Sequence, residues 1–258
     1  MSQNAKKTLD RVLSRAGVCS RTEARAAIAA GRAQVNGRTV RDPDAWVDLV
    51  RDKLLFDGAP LQAIRKEVWL LHKPCGYVTT ADDEHGRETV YALLPKDLPW
   101  LAPVGRLDQD TSGLLLFTND SDLAHAITDP ATKLAKTYVV ACKGRLDAAA
   151  LQQLAAGVPL DDGKTLPARV GQLASDDRTT TIELTITEGR NRQVRRMVQA
   201  VGSRVLTLHR TQIGPLRLRD EPEGTARRLT GDEVTTLRAA VRTDRVPPRP
   251  RTNRGTSR

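Results

Sequence analysis

Residues 114 to 117, Leu-Leu-Leu-Phe, form an unbroken apolar run with polar residues at both ends, which reads as a strand buried on both faces. Asn119-Asp120 closes the run, and the following SDLAHAITDP has the pattern of a helix capped by Asp120 or Ser121. Arg106, Asp108, Asp110 and Thr111 stand immediately before the strand, so charged groups lie at the mouth of a dry core. A carboxylate in that position needs a partner, or it takes up a proton.

A source of partners lies downstream. In TTTIELTI, Ile182, Leu184 and Ile186 alternate with Thr181, Glu183, Thr185 and Thr187, the period of a half-buried strand. A Glu188-Gly189 turn follows, then a helix with Val194, Met197, Val198 and Val201 on one stripe and Gly202 at its end. Arg190, Arg192, Arg195 and Arg196 crowd its first turns. They repel one another and oppose the helix dipole, at a cost of a few tenths of a kcal/mol each, roughly, unless an anion or carboxylate is delivered to them.

The chain has 258 residues and a formal charge of +10, unevenly distributed. Residues 1–66 hold 13 basic and 7 acidic groups, residues 67–242 hold 23 of each, and residues 243–258 hold 5 and 1. A neutral middle with basic ends suggests that the ends gather a polyanion while the middle does something more selective. Three Trp, three Tyr and two Phe are too few for a single-strand binder built on rows of stacked rings. No apolar run reaches membrane-spanning length, mean hydropathy is −0.42, and MSQNAKKTLDR lacks the apolar stretch of a secretory signal. Cys19, Cys75 and Cys142 are far apart and give neither a disulfide framework nor zinc spacing. The expectation is a cytoplasmic protein.

At the start of the chain, Leu9, Val12, Leu13 and Ala16 recur at helical spacing and Gly17 stops the turn. Ser20 and Glu23 then form a capping box for a second helix whose stripe is Ala24, Ala27 and Ile28, with Arg21, Arg25 and Arg32 off it and Gly31 at its end. Asn36-Gly37 between Val35 and Val40 is a type I′ hairpin signal, and LVRDKLLFDG supplies a further strand. This helix-helix-hairpin order resembles the S-four RNA-binding module, carried by Ser20, Arg21, Arg25, Gly31, Val35, Asn36 and Gly37 over the first 60 residues or so. The resemblance implies that Arg21 and Arg25 touch RNA.

A boundary falls near Ala63 to Glu67, after which VWLLHKPCGYVTT begins a strand ended by Lys73-Pro74 and Gly76. YALLPKDLPWLAP is cut by three prolines and leaves room only for a short helix before Pro95. The last segment, residues 243–258, reads as a disordered basic tail that adds affinity without sequence choice.

GRLDQDTSGLLLFTND, KTYVV and EGRNRQVRRM, in that order behind LHKPCGY and the RNA-binding module, resemble the ribosomal RNA pseudouridine synthases of the RsuA/RluB family over roughly residues 8 to 242. The resemblance implies that Asp108 is the catalytic carboxylate, that Arg195 pairs with it, that Tyr138 packs on the target uracil and that Arg106 fills the space of the flipped base. Arg192 and Arg196 are expected to contact phosphate. The fold expected is α+β: an N-terminal RNA-binding module (1–66), a catalytic domain (67–242) with a mainly antiparallel sheet flanked by helices, and the tail.

The implied reaction breaks the bond from ribose to N1 of uracil, turns the base and rejoins it through C5. It calls for an ionised carboxylate, a cation beside it and a closed pocket, and for no redox cofactor or metal. GxGxxG and GxxxxGK[ST] loops are absent, and His72, His85, His125 and His209 have no ligand spacing, which assigns them structural or surface roles. The expected partner of this monomeric enzyme is ribosomal RNA or a subunit assembly intermediate, with 23S favoured over 16S by the EGRNRQVRRM form and the basic tail. Two rivals are a non-catalytic RNA-binding assembly factor and an RNA glycosylase that stops at base release.

Overall fold

The structure is a computed structural model that describes residues 6–61 and 65–242; counts and absences below refer to these residues. The basic tail and part of the Ala63–Glu67 segment lie outside them.

In the N-terminal region, α1 (Leu9–Arg15) and α2 (Arg21–Ala29) pack Leu9, Val12 and Leu13 against Ala24 and Ile28. Ser20 Oγ accepts from Glu23 N, and the Glu23 carboxylate accepts from Ser20 N at 2.8 Å, so the capping box is complete. Asn36 and Gly37 have φ of 52° and 79°, both positive as a type I′ turn requires, and they join β2 (Ala33–Val35) to β3 (Arg38–Val40). β5 (Leu54–Phe56) pairs with β2. Three further strands are too short to leave a period in the sequence: β1 (Lys6–Thr8), which pairs with β4 (Trp46–Asp48), and β6 (Ala59–Pro60), which pairs with β5.

The rest of the chain is organised by one nine-stranded sheet. Its main path runs β11 (Arg169–Ser175), β12 (Thr179–Ile186), β10 (Lys136–Lys143), β13 (Val205–Ile213), β9 (Ser112–Thr118), β7 (Val68–Lys73), β15 (Ala226–Arg228). β8 (Ala102–Val104) pairs with β9 and β14 (Leu216–Arg217) with β13. β9 and β13 run parallel; every other pairing of these strands is antiparallel.

The apolar run in β9 is continuous because both faces of the sheet are covered there. Leu114 and Leu116 pack with Leu70, Ile127 of α3 (Ser121–Thr128) and Leu237 of α6 (Gly231–Arg242). Leu115 and Phe117 point the other way, onto Leu71, Val90, Leu101 and Leu107. All four are fully buried, a gain of about 1.5–3 kcal/mol each over exposure. β12 shows the alternation its sequence carries: Ile182, Leu184 and Ile186 are buried with Met197 and Val198 of α5 (Gln193–Ala200) and Leu154 of α4 (Ala148–Ala156), while Thr181, Glu183 and Thr185 are half-buried. Asp120 caps α3, accepting from the backbone of Asp122 and Leu123, and its buried carboxylate is shared with Lys66 and Arg238. The topology sets three features side by side: the loop entering β9, the N-terminus of α5, and Tyr138 on β10.

Candidate active site

The loop between β8 and β9, residues 105–111, carries Arg106, Asp108 and Asp110, and its backbone is fastened from below. The Thr79 hydroxyl donates to Leu107 O at 2.7 Å. Gln109 and Gly76 exchange two bonds, Gly76 N to Gln109 O at 2.8 Å and Gln109 Nε2 to Gly76 O at 3.0 Å. Lys73, fully buried, directs its ammonium at three carbonyls: Thr111 at 2.8 Å, Pro74 at 3.0 Å and Asp108 at 3.1 Å. A buried ammonium needs all its donors satisfied, and the bonds to Asp108 O and Thr111 O tie the loop to the end of β7. Burial pushes the Lys73 pKa down, against the nearby carboxylates of Asp108 and Asp110.

The opposite wall is the turn into α5. Buried Glu188 accepts from Gln193 Nε2 at 2.6 Å, Leu166 N at 2.9 Å and Arg190 Nε at 3.1 Å, and Arg190 N donates to Gln193 Oε1 at 3.0 Å. Arg190 continues to the carbonyls of Gly163 and Lys164. This network holds Arg192, which precedes the helix, in the left-handed region at φ 46°, ψ 33°. A non-glycine residue pays about 1–2 kcal/mol for that conformation and keeps it only where its surroundings fix it.

Arg192 Nη1 donates to Asp108 Oδ2 at 3.2 Å, and its Nη2 lies 3.6 Å from Asp110 Oδ2. Arg195, expected to pair with Asp108, is placed elsewhere. Its Nη2 lies 3.0 Å from Asp110 Oδ1 and donates to Asp110 O at 2.9 Å and to the Thr111 hydroxyl at 3.2 Å. The reason is the helix geometry: Arg195 lies a turn further along α5, opposite a later part of the loop, while the left-handed backbone at 192 aims that side chain at Asp108. Arg195 braces the loop behind the carboxylate.

Arg196 binds Asp161 and Asp162, so its charge is committed to the protein, in contrast to the phosphate contact expected of it. The carboxylates that the arginine-crowded turns require are therefore internal: Glu188, Asp108, Asp110, Asp161 and Asp162. In the N-terminal region Arg21 and Arg25 converge on buried Asp10, and Arg25 also grips Asp44 through two parallel bonds. Their side chains stay 52% and 42% exposed, which leaves each a face for a polyanion.

Two cavities meet at Asp108. An outer cleft of about 950 Å³ includes Cys75, Thr79, Asp83 and His85 in its walls, and an inner pocket of about 90 Å³ is lined by Tyr138, Ile186, Val194 and Leu208. Arg106, Leu107, Asp108 and Arg192 line both, so they form the neck between them. Tyr138 is 8% exposed and shares its cluster with Ile186, Val194 and Leu208. A carboxylate gripped by one guanidinium thus stands between an open cleft and a small pocket with an aromatic wall, apolar on the side of Ile186, Val194 and Leu208 and polar at Thr111, Arg190 and Gln193. That arrangement can act as nucleophile or base on a flat ring admitted through the neck.

Sequence reasoning brought Arg106, Asp108 and Tyr138 to one site and missed the supporting residues Lys73, Thr79, Gln109 and Gln193. The signal for Lys73 was present, a lysine between an apolar strand and a proline.

The family described as RNA pseudouridylate synthase matches at residues 67–200, and the S4 domain at residues 7–48. The chain is 41% identical over 234 residues to ribosomal large subunit pseudouridine synthase B of Bacillus subtilis (strain 168), covering 90% of this chain and 95% of that protein. It is 38% identical to an RNA pseudouridine synthase of Aquifex aeolicus (strain VF5), covering 93% of this chain and 96% of that one. A crystal structure of a pseudouridylate synthase superposes with a TM-score of 0.65 at 33% identity, over 90% of this chain and 99% of that chain. With its α+β fold and an S4 domain ahead of the large sheet, the chain belongs to the RNA pseudouridine synthases, isomerases that act on uridine in RNA.

Proposed function

We propose that this enzyme converts one uridine of ribosomal RNA to pseudouridine, in 23S rather than 16S RNA, with Asp108 as its catalytic carboxylate. The observation that carries the proposal is the place of Asp108 at the neck between cleft and pocket, held by Arg192. The choice of large-subunit RNA is supported by the 41% identity to ribosomal large subunit pseudouridine synthase B. Free rRNA or an assembly intermediate enters the outer cleft, and the uridine leaves its stack at a cost of a few kcal/mol, roughly. Arg106 fills the vacated space and Tyr138 packs on the uracil in the pocket.

Asp108 then promotes cleavage of the C1′–N1 bond. The detached uracil turns, C5 joins C1′, the C5 proton is released and N1 takes up a proton, so no atom or electron is gained or lost. Arg192 keeps the carboxylate aimed, and Arg195 holds the loop that presents it. The working division is 1–66 for RNA capture, 67–242 for chemistry and 243–258 as a basic tail, in a cytoplasmic monomer.

The test is pseudouridine mapping of rRNA from cells carrying the gene, a deletion, or Asp108→Asn. One 23S position should lose its modification in both altered strains. A pattern unchanged by Asp108→Asn would leave an assembly factor, and free uracil with an abasic site in vitro would leave a glycosylase.

A further inference from the structure

His72 on β7 and His209 on β13 are far apart in sequence and carry no ligand spacing, yet β9 lies between their strands and brings them together. His72 is in register with Leu114 and His209 with Ser112, so the two flank the same stretch of β9. Their rings meet edge to face with centroids 5.3 Å apart. The 221–225 turn supplies a third group. It is pinned to β7 at His72 itself, His72 N donating to Thr225 O at 3.0 Å and Gly224 N donating to His72 O at 2.8 Å. That fastening sets the Glu223 carboxylate 3.7 Å from His72 Nε2.

His72 Nδ1 lies 2.7 Å from the carbonyl of Glu221, which can only accept, so Nδ1 carries a hydrogen and Nε2 is the ring nitrogen turned toward Glu223. His72 Nε2 is buried and, among the described residues, has no hydrogen-bond partner. The Glu223 carboxylate facing it, at 3.7 Å, stands beyond hydrogen-bond distance. His209 Nδ1 lies 2.8 Å from the Ser112 hydroxyl, which fixes that ring. One ligand atom from each of His72, His209 and Glu223 lies within 4.8 Å of the others.

We propose that His72, His209 and Glu223 bind a divalent transition-metal ion of the zinc type, as a structural clamp behind the active-site loop. Two imidazoles and one carboxylate are a zinc donor set, and a backbone carbonyl on the far nitrogen is the usual outer partner of a metal-bound histidine. Bonds of about 2.0–2.2 Å would draw the three atoms together by a small side-chain adjustment. The ion would join β7 to β13 across β9. Its neighbours in sequence are the residues that fasten the site: Lys73 follows His72, and Arg210, which follows His209, donates to Leu114 O at 2.8 Å. The ion takes no part in the isomerisation.

The test uses the full chain, stripped with a chelator and titrated with Zn²⁺ or Co²⁺, with metal content measured by mass spectrometry after desalting. One equivalent should bind. Glu223→Gln and His209→Gln should each weaken binding by at least about tenfold. Glu223 is exposed, so Glu223→Gln should fold as the parent does, and its metal-free melting midpoint checks this. Zn²⁺ should raise the midpoint of the parent and not of the variant. Bound Co²⁺ should show visible absorption without a thiolate charge-transfer band. Failure to retain one equivalent, equal affinity in the parent and both variants, or a thiolate band pointing to Cys19 or Cys75 would each overturn the assignment.

Discussion

Arg192 reaches Asp108 across the neck of the site from a left-handed backbone: Nη1 stands 3.2 Å from Oδ2 while φ at 192 is 46°. The residue that caps the N-terminus of α5 therefore offers its arginine to the carboxylate, and Arg195, inside the first turn, serves the loop behind it.

The two arginines should separate in their effects. Arg192→Gly relieves about 1 kcal/mol of backbone strain and loses a half-exposed ion pair of about 0–1 kcal/mol, so stability should stay within about 1 kcal/mol of the parent. Its kcat should fall on the order of a hundredfold, because the bond that aims Asp108 is gone. Arg195→Ala strips the bonds to Asp110 O and Thr111 Oγ1 and should cost about 1–3 kcal/mol of stability along with activity. Urea unfolding and single-turnover tritium release from 5-tritiated RNA measure both. Equal stability losses in the two variants would refute the division of labour.

Lys73→Met should destabilise the chain by about 2–4 kcal/mol. The substitution removes a buried charge, which is favourable, but strands the carbonyls of Pro74, Asp108 and Thr111 that the ammonium satisfies. Because two of those carbonyls belong to the 105–111 loop, turnover at saturating RNA should fall as well. A variant that kept both its urea midpoint and its kcat would show that the loop does not depend on Lys73.

These supports mark the limit of what was legible in the sequence. The two-sided burial of Leu114 to Phe117, the alternation of β12, the capping box at Ser20 and the hairpin at Asn36-Gly37 follow from local patterns, and the structure shows each. The meeting of Arg106, Asp108 and Tyr138 followed from motif order. Which arginine touches Asp108 did not, because it turns on a left-handed backbone imposed by buried Glu188 and Gln193, and charge spacing carries no trace of that. Strands of two or three residues such as β4 and β6 are too short for a period. The approach of His72 to His209 depends on the strand order β13-β9-β7, which no local window contains.

Gly113→Ala should be among the most damaging single substitutions. At φ 112° an added Cβ would stand 2.2 Å from the carbonyl oxygen of Arg210 and 2.5 Å from its nitrogen, both backbone atoms of the parallel neighbour. Neither strand can move without opening the core around Leu114, and the backbone itself favours glycine. A loss of more than about 3 kcal/mol, seen as insoluble or partly unfolded protein, is expected. Gly37→Ala is the control, since nothing lies within 4 Å of a Cβ there and only the turn is strained. Soluble Gly113→Ala with an unchanged melting midpoint would contradict the close approach of β9 to β13.

Lys136, two residues before Tyr138 on β10, gives stability a dependence on alkaline pH. Burial, reinforced by nearby Arg210, pushes its ammonium down to about 8, and its Nζ donates to Leu134 O at 3.2 Å. In the unfolded chain a lysine holds its proton to about pH 10.4. Below about pH 8 both states are charged, so the cost of burying the ammonium is constant. Between the two values the unfolded chain binds the extra proton, and stability must rise with pH. Lys136→Met keeps the side-chain length and removes the charge, so it should raise stability at pH 7 by about 1–3 kcal/mol and abolish that share of the rise. Urea midpoints of parent and variant at pH 7 and 9.5 should converge as the parent loses its proton. A gap that stayed constant over this range would mean that Lys136 remains charged in the folded enzyme.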